Sequence, residues 1–433
     1  MRFYSTKNIS NFVSLKKAVL KGLPEDNGLY MPEFIPTLPD RFFKNLFNFT
    51  FAEISFFIAE ALIGDSVPKN DLEKIINASI SFPAPLIELD EGINILELFH
   101  GPSLAFKDFG ARFMAQLMSY LNRDEDEELV ILVATSGDTG GAVASGFHNT
   151  PGIKVVILYP SGKVSSLQEL QLTTFGNNVS AVEVYGTFDD CQDLVKQSFL
   201  DAELNNSFRL TSANSINIAR LIPQSFYYFE AFKHFDNSLP IVFSIPSGNF
   251  GNLTAGLFAK RMGLPINKFI VATNLNDIIP QYLTSGNFSP KESIRTISNA
   301  MDVGNPSNFS RILDLYSSTW NNIRKDIVGY SFNDSETRNC IESVFNKYQY
   351  ILDPHSAVGF LAFEEFSKTN NVNGIILETA HPSKFIDVVE PLIGSNISIP
   401  ERLSSLANKK KISVKLSDKS FISFKSLLFN LLD

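Results

Sequence analysis

Apolar residues in this chain follow two rhythms. Short, nearly unbroken runs rich in Val and Ile occur at 93–99, 129–135, 153–159, 179–185, 241–245, 269–273 and 375–379, bounded by turn residues. Runs of that length predict strands buried on both faces. Between them, stretches of helical length lie at 106–121, 188–200, 216–232 and 253–262. Strand and helix in alternation predict an α/β fold whose mainly parallel sheets are covered by helices on both faces. The first 90 residues have another texture. Helical spacing appears at 14–20 and 51–63, interrupted by Pro32, Pro36 and Pro39 and closed by Phe82-Pro83-Ala84-Pro85. That punctuation sets residues 1–90 apart as an N-terminal accessory region. A smaller α/β domain over 91–240 and a larger one over 241–433, ending in a tail, are expected to follow.

Bulk properties narrow the classes. A chain of 433 residues exceeds one ordinary core, in keeping with that division. With 44% hydrophobic and 19% charged residues it reads as globular rather than disordered. The longest apolar runs are strand-sized, and residues 1–4 do not open a secretion signal. A cytoplasmic protein without a membrane partner is therefore expected. A net charge of −9 with no long basic run argues against nucleic acid, yet leaves room for an anion at a helix N-terminus. The two cysteines, Cys191 and Cys340, have no metal-ligand neighbours and read as packing residues, so no metal is expected.

In open α/β sheets, ligands sit where strand ends lead into helix starts. Four such junctions carry unusual residues. In the first, His100-Gly101-Pro102-Ser103-Leu104-Ala105-Phe106-Lys107-Asp108, helical spacing places Lys107 in a stripe with Ala111, Met114 and Leu121. A buried lysine loses its charge readily and becomes the neutral amine that attacks a carbonyl. A lysine on such a face also serves simply to cover apolar surface with its stem. The second junction, Ala134-Thr135-Ser136-Gly137-Asp138-Thr139-Gly140-Gly141, joins glycines that permit tight turning to hydroxyls near a helix start. It matches neither a Walker loop nor a dinucleotide fingerprint, and a capped turn accounts for it equally well. The third, Pro246-Ser247-Gly248-Asn249-Phe250-Gly251-Asn252, offers backbone N–H groups to a dianionic phosphate without any lysine or arginine. Turns are rich in the same residues for other reasons. In the fourth, Thr379 ends a strand, where its hydroxyl either orients a ring nitrogen or caps the strand. The segment 212–220 adds Ser212, Asn214 and Arg220, which cap a helix or grip a carboxylate or phosphate. His355 and His381 each adjoin a proline, and structural roles are expected for both.

Taken together and in order, Gly101-Pro102-Ser103-Leu104-Ala105-Phe106-Lys107-Asp108-Phe109, 134–140, 212–220, 246–251 and 379–382 resemble the pyridoxal-phosphate enzymes of the tryptophan-synthase-β type. The closer resemblance is to bacterial and fungal threonine synthases, and 28–30 and 298–303 share it. It covers nearly the whole chain and fades after about residue 400. The resemblance implies fold type II, with two open, mainly parallel sheets plus the N-terminal region, and pyridoxal 5'-phosphate as cofactor. Lys107 would hold the cofactor covalently and then move protons. Gly248, Asn249, Phe250, Gly251 and Asn252 would bind the cofactor phosphate, and Thr379 would meet the pyridine nitrogen. Ser136, Gly137, Asp138, Thr139 and Asn214 would face substrate, with Arg220 on its phosphate. The implied reaction is γ-elimination of phosphate from O-phospho-L-homoserine and addition of water at the β carbon. It gives L-threonine, as the last step of threonine biosynthesis, on a monomer or homodimer. Two neighbouring outcomes share the fold. One is a phospho-lyase that releases phosphate and ammonia. The other is a hydroxyamino-acid dehydratase, against which the Asn249-Phe250-Gly251 loop and the long N-terminal region speak.

Overall fold

Each of the seven expected runs is a strand, and each is buried by alternate residues packing to opposite sides. The computed structural model describes residues 1–236 and 238–432. In chain order the strands are β1 (Arg2–Ser5), β2 (Asn8–Ser14), β3 (Tyr30–Pro32), β4 (Leu86–Asp90), β5 (Ile93–Glu97), β6 (Leu129–Ala134), β7 (Ile153–Pro160), β8 (Val179–Val184), β9 (Arg209–Thr211), β10 (Ile241–Pro246), β11 (Lys268–Thr273), β12 (Ile327–Ser331), β13 (Asn373–Glu378) and β14 (Val414–Leu416). They form three sheets, in the orders β2-β1-β3, β12-β11-β10-β13-β5-β4 and β14-β8-β7-β6-β9. The five-stranded sheet is parallel throughout; the six-stranded one is parallel except for β4.

Strand β6, Leu-Val-Ile-Leu-Val-Ala, is buried along its length. Its Ile131 and Val133 pack with Phe113 and Val143, while Val130 and Leu132 pack with Leu194 and Leu428. In β10, Phe243 and Ile245 face one core and Val242 the other, with Val358 and Phe363. That period of two explains the unbroken apolar runs: with helices on both sides, no residue of β6 or β10 faces water.

The structure corrects three expectations. The helix expected over 216–232 is three pieces, Ile218–Leu221, Ile222–Ser225 and Phe226–Phe232. Pro223 has no N–H for the ladder, and the middle turn tightens around it. The sheets cross the expected division at 240 in both directions: β4 and β5 join the six-stranded sheet, and β14 returns to the five-stranded one. Residues 1–90, expected to be short mixed segments, contain the antiparallel sheet of β1–β3. Its β2, Asn-Ile-Ser-Asn-Phe-Val-Ser, is largely exposed and so lacks an apolar run to signal it. The helix Phe51–Ile63 has the expected bounds, held by a capping box between Thr50 and Glu53. Cys191 and Cys340 are buried free thiols, as packing residues should be. Among the described residues, no helix is long and apolar enough to cross a membrane.

Candidate active site

Three neighbouring parallel strands, β5, β13 and β10, end on one edge of the six-stranded sheet, and each end carries one expected feature. After β5 the chain loops into the helix Lys107–Asn122. After β13 comes Thr379. After β10 comes the turn that opens the helix Gly251–Arg261. The first two are stitched together by backbone. Ala105 bridges Ala380, the Phe106 N–H donates to the Thr379 carbonyl at 2.9 Å, and the His381 N–H donates to the Leu104 carbonyl at 3.0 Å. Lys107 therefore starts its helix one residue beyond the backbone paired with Thr379. Thr379 is buried, and its hydroxyl has no hydrogen-bond partner among the described residues.

The Lys107 side chain is only 16% exposed, and its Nζ lies 3.9 Å from Asp138 Oδ2, too far for a hydrogen bond. Burial pushes this amine below its ordinary pKa; Asp138 opposes the shift, and Lys384 and Arg220 add to it. A neutral amine is the form that attacks a carbonyl.

Asp138 comes from the other sheet, at the first position of the helix Asp138–Phe147 after β6. Its Oδ1 accepts from Lys384 Nζ at 2.6 Å and from Gln168 Nε2 at 3.0 Å. Burial alone would raise this carboxyl, but the ammonium groups of Lys384 and Lys107 reverse that and hold it well below the usual carboxylate range. The turn before it needs glycine: Gly137 has φ +141°, and a Cβ there would meet the Gln168 side chain at 2.6 Å. Thr135 Oγ1 accepts from the Gly137 and Gly140 N–H groups at 3.0 and 2.8 Å. Two amides of this loop are thus committed to its own cap. Ser136 and Thr139, both half-buried, are left to meet a ligand.

The loop after β10 is built the opposite way. None of the N–H groups from Gly248 to Asn252 has a hydrogen-bond partner among the described residues. Phe250 sits in the left-handed region at φ 60°, a strained position for a bulky residue, so that the turn can open the helix. Asn249 is pinned by Ser215 Oγ at 2.6 Å and by the Ser307 N–H at 2.6 Å. Asn252 Oδ1 accepts from the hydroxyls of Tyr227 and Tyr228 at 2.6 and 2.8 Å, while its Nδ2 is buried without a partner. Consecutive free amides at the start of an eleven-residue helix suit a phosphate. Together with the buried amine of Lys107 and the free hydroxyl of Thr379, the chemistry fits a cofactor that offers an aldehyde, a ring nitrogen and a phosphate.

Asn214 is half-buried near the same loop. Arg220 lies beneath the Lys107 helix: it is 2% exposed, one N–H donates to the Ala213 carbonyl at 2.7 Å, and its Nε has no partner. Burial pulls it down to about 10. His355 takes the structural role expected of it. It bonds to Asp353 at 2.6 Å and accepts the Ala300 N–H at 3.2 Å, bracing the segment that packs on Gly248. His381 caps the next turn by accepting the Ser383 N–H. Glu378 accepts the Asp353 N–H, and burial, with Asp353 beside it, pushes its carboxyl well above the usual carboxylate range.

The residue that sequence reasoning missed is Lys384. It lies in the turn Pro382–Phe385 and its side chain is wholly buried. The one available signal was a second lysine just past a strand end, followed by the apolar Phe385-Ile386. A cleft of about 850 Å³ opens elsewhere, between Arg2, Glu33, Phe42 and Phe57, and none of the candidate site residues lines it.

Asp108, next to Lys107, carries a pH signature. Burial pushes its carboxyl up to about 6. A raised acid stabilises the fold while it is protonated, and that contribution is lost as pH rises through the folded value. The linkage is on the order of 3 kcal/mol between about pH 4 and pH 7. Asp108→Asn keeps an acceptor for the Ser103 N–H, which Asp108 Oδ2 accepts at 2.8 Å. The variant is expected to gain stability relative to the parent as pH rises over that window. Urea denaturation at both pH values, with a constant difference between the two proteins, would refute the assignment.

Comparison with known proteins places nearly the whole chain within one set of family models. Residues 2–80 match the family model "Threonine synthase N terminus", 82–375 match "Pyridoxal-phosphate dependent enzyme" and 356–425 match "Threonine synthase, C-terminal". Threonine synthase of Escherichia coli strain K12 is 42% identical over 432 residues, covering 99% of this chain and 100% of the relative. That of Saccharomyces cerevisiae is 35% identical, covering 94% of each. The crystal structure of the Escherichia coli protein superposes with a TM-score of 0.92 at 41% identity, covering 100% of both chains. A PLP-bound threonine synthase from Brucella melitensis gives 0.94 at 34% identity, covering 100% of this chain and 99% of the other.

Proposed function

The chain belongs to the threonine synthase family of pyridoxal-phosphate-dependent enzymes, and from that membership we propose how its own residues make L-threonine from O-phospho-L-homoserine. The observation that carries the assignment of roles is the buried, hydrogen-bond-free amine of Lys107, set beside the backbone of Thr379 on the same sheet edge as five free amides. When bound, pyridoxal phosphate supplies an electron sink for charge developing at the α carbon.

The protein supplies the rest. Lys107 Nζ would hold the cofactor and, as a free amine, would take up the α proton and move protons during loss of phosphate from the γ carbon. Gly248, Asn249, Phe250, Gly251 and Asn252 hold the cofactor phosphate through N–H groups and the start of the helix. Thr379 meets the ring nitrogen with a neutral hydroxyl. Ser136, Gly137, Asp138, Thr139 and Asn214 line the substrate side, with Arg220 beneath it as a cation for the substrate phosphate. The reaction requires that bulk water be kept out while one water adds at the β carbon. The enzyme works in the cytoplasm on this small molecule, as a monomer or homodimer, without nucleic acid or membrane.

The test is a product balance. Purified protein with pyridoxal phosphate and O-phospho-L-homoserine is expected to release phosphate and threonine in equal amounts. Phosphate with 2-oxobutyrate and ammonia, and no threonine, would transfer the chain to the phospho-lyase reading.

A further inference from the structure

Two lysine side chains converge on one buried carboxylate, and they do so unequally. Asp138 Oδ1 is 2.6 Å from Lys384 Nζ, while Asp138 Oδ2 is 3.9 Å from Lys107 Nζ. Lys384 is the more deeply buried of the two lysines, with a side-chain exposure of 0% against 16%. Its Nζ also donates to the Ser103 carbonyl at 2.9 Å, the same oxygen that Gln171 Nε2 reaches at 2.9 Å. Both ends of this clamp belong to the site: Ser103 lies in the loop that delivers Lys107, and Lys384 lies in the turn just after Thr379.

An amine meant to attack a carbonyl has to be free of a proton, and a carboxylate in direct contact would fix the proton on it. We propose that Lys384 is a positioning residue that keeps the Asp138 carboxylate engaged and held off Lys107, so that the Lys107 amine stays uncommitted and able to take the cofactor. Deleting Lys384 would leave a buried, uncompensated carboxylate. The nearest remaining cation is Lys107, and Asp138 would turn to it. The other charged groups acting on Lys107 are Arg220 and Asp353, and His355 acts on Asp138; none of them bonds to the Asp138 carboxylate. The direction follows from the contacts: with Lys384 present, burial and two neighbouring cations push the Lys107 amine down, while the carboxylates of Asp138 and Asp353 oppose. Without Lys384, the Asp138 carboxylate moves closer and the amine is pushed up.

This inference rests on the assignment of Lys107 as the cofactor lysine, and one experiment separates the two. Cofactor-free protein is mixed with pyridoxal phosphate across a range of pH, and the rate of attachment is followed by borohydride trapping and peptide mass analysis. Attachment forms a carbon–nitrogen double bond between Lys107 Nζ and the aldehyde carbon, with loss of water. The added borohydride supplies the hydride that makes the bond permanent. The unmodified chain should label at Lys107; label elsewhere would overturn the assignment of Lys107 itself. In Lys384→Met the midpoint of the pH–rate curve is expected to rise by roughly a unit or more, with the plateau recovered at high pH. Lys384→Gln keeps a hydrogen-bond donor in the slot without the charge. It is expected to shift the midpoint in the same direction, and it decides the matter should the methionine variant not fold. Combining either change with Asp138→Asn should abolish most of the rise, because no carboxylate remains to turn. An unmoved midpoint, or a rise equally large when Asp138→Asn is also present, would overturn the role of Lys384 while leaving that of Lys107 intact.

Discussion

Lys107→Ala should lower threonine formation by at least about 10³-fold and leave no borohydride-fixed cofactor on the protein. Two losses combine. The Lys107 amine is the one that starts its helix beside Thr379, at 3.9 Å from Asp138, and alanine removes the only covalent anchor assigned to the cofactor. The same group is assigned the proton transfers, and loss of a positioned acid–base group is worth about 10²–10⁴-fold by itself. Lys384 does not substitute for it, because its Nζ is tied to Asp138 and to the Ser103 carbonyl. Non-covalent cofactor should persist through the free amides of 248–252, so visible absorbance would remain while trapping fails. Covalent trapping at any other lysine in the variant, with turnover retained, would place the attachment elsewhere and remove the central assignment.

The second large effect is expected from Gly248→Ala. A Cβ at this position would lie 2.7 Å from the Ala300 carbonyl oxygen and 2.8 Å from Met301 Cα. Both are backbone atoms, and His355 braces that backbone through the Ala300 N–H, so the neighbour does not swing away as a flexible side chain would. The displaced partner must be the loop itself. Overpacking of this kind costs about 1–3 kcal/mol, and if the strain falls on the amides that hold the phosphate, cofactor affinity should weaken roughly ten- to a hundredfold. Titration of the cofactor-free variant with pyridoxal phosphate measures this directly. Unchanged affinity would mean that the Gly248–Asn252 amides do not hold the phosphate.

The chain announces its two sheets clearly. Runs such as Leu129–Ala134 and Ile241–Pro246 are apolar on both faces because each strand has helices on both sides, and that environment leaves its mark residue by residue. The two glycine-containing loops were equally legible, because their geometry is local. Gly137 is required by its own φ, and the residues 246–252 form a turn and helix start within a few positions of each other. What did not show was any segment whose reason lies elsewhere. Strands β9 and β14 have three residues each and exist because β6 and β8 offer them an edge. Pro223 was visible in the sequence, but the break it makes was hidden in a stretch otherwise helical in pattern.

The same division runs through the site. A lysine at a helix start in an apolar stripe, a glycine turn and a strand-end threonine are each defined by neighbours a few residues away, and one chain is enough to find them. The state of that lysine is another matter. It depends on Asp138 from the other sheet and on Lys384, whose contact with Ser103 joins residues 281 positions apart. Nothing local distinguishes Lys384 from the many lysines that cover apolar surface, because burial and pairing are properties of the folded arrangement. Charge interactions of this kind act through space. Only packing of the two sheets brings two amines to 2.6 and 3.9 Å from one carboxylate, in a setting dry enough for the difference to count.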